Sequence, residues 1–315
     1  MNPSRGMSFD WSGSGALVAS LLCWATVPLF LRSFIHEMDA WTANGVRYPI
    51  AALFWLGPLL YSCRQGRVDG IYFRRALLPA VFSLATQSLW AWAPYFLEPA
   101  MMAFLSKVSS VFAVLCSFLV FPDESKLLGS GVFWTGLALC LLGFLGMTFL
   151  GSTIPTGGAL IGIVLLLFSG IFFAWYGIAV RWAITGVDSR TAFAIISIYT
   201  SVGTIILMAF FGQPSRLLEM TPDRHIVLVV SALVGIAFAH VFFYIAIARI
   251  GVTITTGCQL LSPFLTAVGS FFIFHEVLTL GQWTSGAVLL AGCALLMWSQ
   301  EKVHSYRAER KTPKY

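Results

Sequence analysis

The chain has 315 residues, of which 58% are hydrophobic and 10% are charged, and its formal net charge is +6. Its mean hydropathy is +0.84. Since an ordinary globular protein carries about 25% charged residues, this composition excludes a water-soluble globular domain and predicts many membrane spans. The stretch at residues 127–180 contains 54 consecutive positions without Asp, Glu, Lys or Arg, which is enough for two spans of about 20 residues each.

Charged and turn residues divide the chain into ten apolar segments. The first includes residues 11–31, which are 21 uncharged positions and exceed the apolar region of a secretory signal peptide. The loops between the segments are short. The sequence therefore predicts an all-α polytopic membrane protein with ten transmembrane helices. The predicted spans are residues 13–32, 41–63, 76–97, 100–121, 127–150, 159–181, 191–212, 226–248, 252–274 and 280–300.

Basic residues in the loops favour one orientation. With the N-terminus in the cytoplasm, 14 Lys and Arg residues lie on the cytoplasmic side and 3 lie on the other side, namely Arg32, Arg216 and Arg224. Because cytoplasmic loops are rich in Lys and Arg, we expect both termini to be cytoplasmic. For a bacterial chain the expected location is the inner membrane. We expect the basic tail to lie against anionic lipid and not against nucleic acid.

The chain offers no pattern of a metal site or an enzyme. Its six cysteines lie within or at the ends of apolar segments without a CxxC pair, which favours packing roles. Paired aspartates and nucleophile–base clusters, which an intramembrane enzyme would need, are missing. We therefore expect no enzyme activity, no metal and no cofactor. The expected partners are a small-molecule substrate and the lipid bilayer. The sequence leaves open whether the protein forms a homodimer.

The two halves of the sequence share a polar pattern. Ser110 lies 14 residues before Glu124, and Ser262 lies 14 residues before Glu276. With five spans in each half, the second half must enter the membrane upside down relative to the first. Inverted repeats are typical of secondary transporters, whose substrate site lies at the repeat interface near the bilayer midplane. The predicted organisation is a first five-helix repeat at residues 13–150, a second, inverted repeat at residues 159–300, and a basic cytoplasmic tail at residues 301–315.

Three further features accompany this pattern: Trp24 with Val27-Pro28, the segment from Tyr244 to Ala248, and the tract from Leu261-Ser262-Pro263-Phe264 through His275-Glu276 to Gly286. With them the sequence resembles the drug/metabolite transporter superfamily, in its ten-span class with two EamA-type domains. The resemblance covers about residues 14–300. The sequence departs from the family at Val111, where proline is usual, and at Lys107, where an apolar residue is commoner.

The resemblance implies export or exchange of small metabolites, often amino acids. It implies a central cavity that is surrounded by spans one to four and six to nine. Spans five and ten then lie beside this group and do not line the cavity. It also suggests a structural or gating role for Glu124 and Glu276, which end the fourth and ninth spans.

Lys107 is the strongest candidate for a substrate-binding residue. It lies inside the fourth span, where a charged side chain costs several kcal/mol unless it faces water or a partner. One interpretation is a cationic anchor for a substrate carboxylate or phosphate. The other is a structural pair with Glu98 or with a backbone carbonyl. The serine-to-glutamate alignment pairs Lys107 with Gln259 in the ninth span.

Arg47 and His240 are further candidates with two interpretations each. Arg47, in the second span, either binds an anion or is paired structurally within the bundle. His240 has Tyr244 one helical turn later on the same face. The pair either lines the cavity, with His240 able to carry a proton, or joins neighbouring helices by hydrogen bonds.

Polar and aromatic residues of other spans complete the predicted site. An aromatic wall with a few polar groups suits an amphipathic small molecule, although packing explains any one of these residues as well. Trp24 and Trp175 take comparable places in the two halves. The remaining candidates are Gln87 and Tyr95 in the third span.

The sequence therefore predicts a secondary transporter of small polar metabolites, amino acids or other carboxylate-bearing solutes, that works by alternating access as an exporter or exchanger. No Asp or Glu lies deep in a predicted span, which favours exchange or facilitated export over proton coupling. The alternatives are an exporter of cationic or neutral drugs in which Lys107 is structural, and an intramembrane lipid-modifying enzyme.

Overall fold

The computed structural model describes residues 10–120, 127–151, 157–183, 186–250 and 252–311. Glu124, the predicted end of the fourth span, and the last four residues of the tail lie outside this part. The described residues form α-helices joined by short turns. The α-helices are α1 (Trp11–Ser33), α2 (Ala40–Arg64), α3 (Gly70–Trp92), α4 (Pro99–Leu105), α5 (Ser109–Val120), α6 (Gly131–Phe149), α7 (Gly157–Ala183), α8 (Ser189–Phe211), α9 (Pro222–Ala232), α10 (Ala239–Ile250), α11 (Val252–Gln259), α12 (Ser262–Phe274) and α13 (Leu280–Lys311).

These helices make ten passes through the bundle, which confirms the predicted fold class. The fourth pass consists of α4 and α5, the eighth of α9 and α10, and the ninth of α11 and α12. Nine passes of the described chain are long and apolar enough to cross a membrane. The other pass, α2, has 25 residues and is less apolar because its first half carries Thr42, Asn44 and Arg47, which are buried inside the bundle.

Helix starts and ends follow from local sequence. Asp10 and Asp39 precede α1 and α2, and their carboxylates accept the Gly13 and Thr42 backbone N–H groups at 2.9 Å. Such caps satisfy N–H groups that have no partner within the helix. Helix α13 runs past the predicted end of its span into residues 301–311, which are rich in good helix formers such as Glu, Lys, Arg and Ala.

The packing of the passes follows the inverted repeat. Helix α1, the first pass, packs against α10 and α12 of the eighth and ninth passes. Helix α7, the sixth pass, packs in the same way against α3 and α5 of the third and fourth passes. Equivalent passes also pair with each other, α2 with α8 and α6 with α13. Each of these contacts therefore joins a helix of one half to a helix of the other.

Helices α6 and α13 approach each other most closely along their glycines. A Cβ atom on Gly292 would lie 2.6 Å from the backbone nitrogen of Cys140, and one on Gly136 would lie 3.1 Å from the Gly292 carbonyl oxygen. Glycine at these positions lets the two backbones touch, as in other membrane helix pairs.

The fourth and ninth passes are both interrupted, and the interruptions lie at Lys107 and Gln259. In the fourth pass a 3₁₀ turn at Ser106–Val108 separates α4 from α5. In the ninth pass α11 ends at Gln259 and α12 begins at Ser262. Pro263 has no N–H group, so the helical bond to the Gln259 carbonyl cannot form. The sequence alignment of the repeats thus pairs two positions that both lie at a break in a helix.

The eighth pass contains a π-helical segment at Leu233–Phe238. Two side chains of α2 reach carbonyl groups at or next to it. Trp55 Nε1 donates to Ala237 O at 3.0 Å, and Arg47 Nη2 donates to Ser231 O at 3.3 Å. π-Helical turns inside α-helices are frequent at functional sites.

Candidate functional site

An aromatic cluster around His240 joins α1, α8 and α10. The Trp24 ring meets His240 edge-on with centroids 5.6 Å apart, and Phe243 lies 4.6 Å from the same Trp24 ring. Phe193 stacks on His240 at 4.9 Å. The structure therefore brings Trp24 and His240, two predicted site residues from opposite halves, into direct contact.

The hydrogen bond of His240 determines which ring nitrogen carries the proton in the neutral imidazole. Nδ1 lies 2.9 Å from Ile236 O, and a carbonyl oxygen can only accept, so Nδ1 carries a proton. Within the described residues Nε2 has no hydrogen-bond partner. In the neutral ring Nε2 is then an acceptor, which can take a hydrogen bond from a substrate hydroxyl or ammonium group.

Tyr244 meets Tyr176 one turn along α10 from His240. The two phenol oxygens are 3.3 Å apart, and they join α10 to α7. Tyr244 also packs beside Tyr48 and Phe193 in a small core cluster. The predicted His240–Tyr244 face thus lies inside the bundle, against both halves.

Arg47 is deeply buried, with 2% of its surface exposed, and it bonds only to Ser231 among the described residues. Nε donates to the Ser231 hydroxyl at 3.0 Å and Nη2 to the Ser231 carbonyl at 3.3 Å. No described carboxylate neutralises the guanidinium. A buried charge is normally paired with an opposite charge, and the Arg47 guanidinium has no such partner among the described residues. It is therefore suited to binding an anionic group of a substrate.

Ser231 precedes His240 by nine residues, which places Arg47 about 13 Å along the pass from the aromatic cluster at a rise of 1.5 Å per residue. Arg47 and the His240 cluster therefore lie at different positions along the eighth pass and do not touch.

Lys107 lies at the break in the fourth pass and is partly buried. Its backbone carbonyl accepts a hydrogen bond from Cys293 Sγ at 3.5 Å, which ties the break to α13. No described side chain forms an ion pair with its ammonium group. Glu98, the structural partner that the sequence suggests, is paired with Arg32 instead, at 2.5 Å.

Gln259 lies at the equivalent break in the ninth pass and is buried. Its Nε2 donates to Ser20 Oγ at 2.8 Å, and Ser20 Oγ donates in turn to Leu17 O at 2.9 Å. This chain fixes the orientation of the amide and leaves Oε1 without a partner in the described residues. Gln259 is thus held to α1 with one acceptor unused.

The remaining predicted residues lie apart from the aromatic cluster. Tyr95 donates to Met38 O at 2.5 Å and holds the turn after α1. The backbone carbonyl of Gln87 accepts from Asn44 Nδ2 at 2.9 Å, which joins α3 to α2. Trp175 stacks on Phe82 with centroids 6.2 Å apart. The side chains of Tyr95 and Trp175 thus have packing roles, the Gln87 contact involves its backbone alone, and the part of all three residues in binding stays a prediction.

A groove of about 370 Å³ lies between α2 and α10, near the start of α8. None of the described residues that line this groove is a predicted site residue. It is lined by Phe54, Trp55, Pro58, Arg190, Phe238, Val241, Phe242 and Ile245.

Family comparison decides the class of the molecule. The chain matches the EamA-like transporter family over residues 11–150 and again over residues 160–298, once in each half. The chain belongs to the EamA-like transporter family. Its multi-pass helical fold and its two repeats are those of a membrane transporter.

Two further likenesses accompany the family match. An uncharacterized transporter from Methanothermobacter thermautotrophicus is 29% identical over 204 residues, which is 61% of this chain and 54% of the relative. The chain thus spans about half the length of this curated relative. A solved crystal structure of 15% sequence identity has a TM-score of 0.60 and is matched over 93% of this EamA-like transporter and 98% of its own chain. At that identity the likeness shows the fold alone.

Sequence reasoning missed several residues that the structure places in this transporter's interior. Ser231 binds Arg47, Ser20 binds Gln259, and Phe193 stacks on His240. Serine and phenylalanine are common in membrane helices, so no sequence signal distinguishes them. Tyr176 had one weak signal, since it follows Trp175. Among the described residues no group of three or more His, Cys, Asp or Glu residues could hold a metal ion.

Proposed function

We propose that this EamA-like transporter moves small carboxylate-bearing metabolites, amino acids among them, across the cytoplasmic membrane by alternating access, as an exporter or exchanger. Both termini face the cytoplasm in this proposal, in accordance with the distribution of basic residues. The single observation that carries it is the pair of helix breaks at Lys107 and Gln259. Discontinuous helices at equivalent positions of inverted repeats form the substrate sites of many secondary transporters.

The charges inside the bundle support an anionic group on the substrate. Arg47 and Lys107 lie within passes of the bundle, and neither is paired with a carboxylate of the described residues. A carboxylate is the natural partner for such cations, because a buried charge is costly without one. Lys107 is the proposed anchor for the substrate carboxylate. Arg47, on the second pass, is the second cation proposed to attract an anionic group.

The aromatic cluster supports a substrate with a sizeable apolar part. Trp24, Phe193 and Phe243 surround His240, whose Nε2 is an acceptor. Amino acids combine a carboxylate, an ammonium group and a side chain. Such a ligand would use the cationic break, the His240 acceptor and the aromatic rings together.

A second candidate function is the export of cationic or neutral drugs. The same aromatic cluster favours it, because the face of a tryptophan attracts cations. In that case Lys107 is structural and the Cys293 contact to its carbonyl is its main role.

The test is counterflow of labelled amino acids and small carboxylates in proteoliposomes. We expect saturable counterflow of at least one carboxylate, which is lost in Lys107→Ala while membrane insertion is retained. The matched control is Arg216→Ala, since Arg216 is half-exposed and lies outside the bundle core. Counterflow of a carboxylate that Lys107→Ala leaves unchanged removes Lys107 from the site. Movement of cationic drugs alone would establish the second candidate.

A further inference from the structure

A second groove, of about 650 Å³, opens on the outside of the bundle where α3 packs against α7. Its apolar lining includes Leu77, Leu78 and Val81 of α3, and Trp182 near the end of α7 borders it. Among the described residues that line it, none belongs to the predicted substrate site. Because α3 belongs to the first half and α7 to the second, the groove lies at a contact between the two repeats.

The two faces of α3 explain why this groove opens outwards. Ala76 and Ala80 on one face are buried in a core cluster that also contains Ala183 of α7. On the other face Leu78 and Val81 keep 47% and 62% of their surfaces exposed. The outside of a membrane-spanning bundle is surrounded by acyl chains, which are as apolar as leucine. The apolar part of the groove therefore faces lipid.

Two arginines line the same groove. Arg74 and Arg75 are exposed, and among the described residues neither guanidinium has an ion-pair or hydrogen-bond partner. They directly precede the predicted third span, residues 76–97, and so lie at the level of the lipid headgroups. Leu78 and Val81 lie about 6 Å and about 10 Å further along the helix, at a rise of 1.5 Å per residue. The groove is thus cationic at the membrane surface and apolar at greater depth.

The neighbouring residues agree with a position at the membrane surface. Trp182 is 66% exposed, and tryptophan is enriched where a membrane meets water. The nearest acidic residues along the chain are Asp69, the N-cap of α3, and Asp188, whose carboxylate accepts the Arg190 N–H at 3.2 Å. Neither of them lines the groove. The charge of the groove is therefore positive.

An anionic phospholipid matches both parts of this groove. A guanidinium binds phosphate oxygens through parallel N–H groups, and an acyl chain suits the apolar stripe. A free phosphate would use the arginines alone, and a zwitterionic lipid would also bring a positive charge to them. Basic pockets between membrane helices on the cytoplasmic side are typical sites for anionic headgroups. The distribution of basic residues predicts that Arg74 and Arg75 lie on that side.

We propose that the groove between α3 and α7 binds one anionic phospholipid, with its phosphate on Arg74 and Arg75 and an acyl chain along Leu78 and Val81. The bound lipid contacts α3 of the first half and Trp182 of the second, and so stabilises the contact between the repeats. This inference does not depend on which solute is transported.

Native mass spectrometry of the purified full-length transporter in detergent tests the site. The protein is titrated with phosphatidylglycerol or with phosphatidylcholine of the same acyl chains. We expect the wild type to bind phosphatidylglycerol about tenfold more tightly than phosphatidylcholine. In Arg74→Gln/Arg75→Gln the affinity for phosphatidylglycerol should fall about tenfold, because both cations near the headgroup are lost. Phosphatidylglycerol should also raise the thermal unfolding midpoint of the wild type more than that of this variant.

The matched charge control is Arg64→Gln/Arg67→Gln. It removes two exposed arginines from the same predicted side of the membrane, just before α3 and outside the groove. We expect it to bind phosphatidylglycerol as the wild type does. An equal loss in the two double variants would mean that the basic surface attracts lipid without a site, which overturns the proposal. Equal affinity of the wild type for the two lipids overturns it as well.

A second variant fills the groove and leaves its charge unchanged. Val81→Trp should weaken phosphatidylglycerol binding severalfold, whereas Val202→Trp should not, since Val202 is a half-exposed residue of α8 outside the groove. Equal binding in these two variants removes the acyl chain from the groove.

Other occupants of the groove give different results in the same spectra. Inorganic phosphate that displaces the lipid at equal concentration would make the groove a site for free phosphate. A wild-type dimer without bound lipid that dissociates in Arg74→Gln/Arg75→Gln would assign the groove to a second copy of the chain. Either result overturns the proposal.

Discussion

Arg47 and Ser231 are joined by two hydrogen bonds between the second and the eighth pass. The guanidinium donates to the Ser231 hydroxyl at 3.0 Å and to the Ser231 carbonyl at 3.3 Å, two residues before the π-helical segment. This contact links α2 of the first half to the span of the second half that carries His240. It fixes the relative position of the two candidate binding elements.

Replacement of Arg47 should separate its packing role from its charge. Arg47→Gln removes both bonds to Ser231 and should cost about 1–3 kcal/mol, because buried polar groups lose their partner. We expect a lower thermal unfolding midpoint in detergent and a loss of counterflow. Arg47→Lys keeps the charge without the planar fork and should recover part of the transport.

The control for Arg47 is Arg216→Gln, which alters an exposed pair with Glu219. Exposed pairs contribute about 0–1 kcal/mol, so its midpoint should match the wild type. An Arg47→Gln protein with wild-type midpoint and transport would show that the Ser231 contact is dispensable.

Gly235 gives the π-helical segment room to meet α1 and Arg47. A Cβ atom there would lie 2.9 Å from Val27 Cγ2 and 3.2 Å from Arg47 Nη2. We therefore expect Gly235→Ala to lower the unfolding midpoint and slow counterflow. Gly177→Ala is the matched control, since a Cβ on Gly177 meets nothing within 4 Å. In that exposed helical position alanine should be neutral or stabilising by up to about 1 kcal/mol. Equal midpoints for the two variants would argue against tight packing at Gly235.

Cys140 and Cys293 should form a cross-link between the two halves. Their sulfur atoms are 3.7 Å apart across the contact of α6 with α13. A disulfide needs about 2 Å between the two sulfur atoms, which a modest rotation of the side chains provides. A copper–phenanthroline oxidant can then remove two electrons and two protons from this pair of thiols. The other four cysteines are replaced by alanine, and a protease site is inserted between α6 and α7. After cleavage the halves should stay together on a non-reducing gel.

The cross-link should disappear in Cys293→Ala and on reduction. Separate halves in the oxidised protein would mean that α6 and α13 do not face each other as described. The readout depends on helix position alone, so it checks the inverted-repeat packing independently of any transported solute.

Much of the fold follows from the length of the apolar segments and the placement of charge. The ten predicted spans agree with the ten passes, since a membrane requires long apolar segments with every backbone group bonded internally. The tenth span begins at Leu280 in both, and the second ends at residue 63 in the prediction and at Arg64 in the structure. The pairing of Lys107 with Gln259 came from serine-to-glutamate spacing alone, and the structure places both at helix breaks.

The candidate site was less accessible to sequence reasoning. His240 with Tyr244 was predictable from helical spacing, and Trp24 from its place in the repeat. Their partners Phe193 and Tyr176 come from distant passes whose rotation about their axes no local pattern fixes. Sequence reasoning placed Glu276 at the end of the ninth span, and only the packing of α12 on α4 shows its carboxylate bonded to Ala100.

By itself the sequence determined that this chain is a ten-pass membrane protein of two inverted repeats, because apolar length and the odd number of spans per half admit little else. The tertiary structure alone decided which polar groups meet. Arg47 with Ser231, Gln259 with Ser20 and Glu276 with the start of α4 each join residues more than 170 positions apart. The physical reason is that a membrane span is apolar around its whole circumference. The sequence of a span therefore determines that the span crosses the membrane. Side-chain packing and a few buried hydrogen bonds determine which face of the span contacts its neighbours.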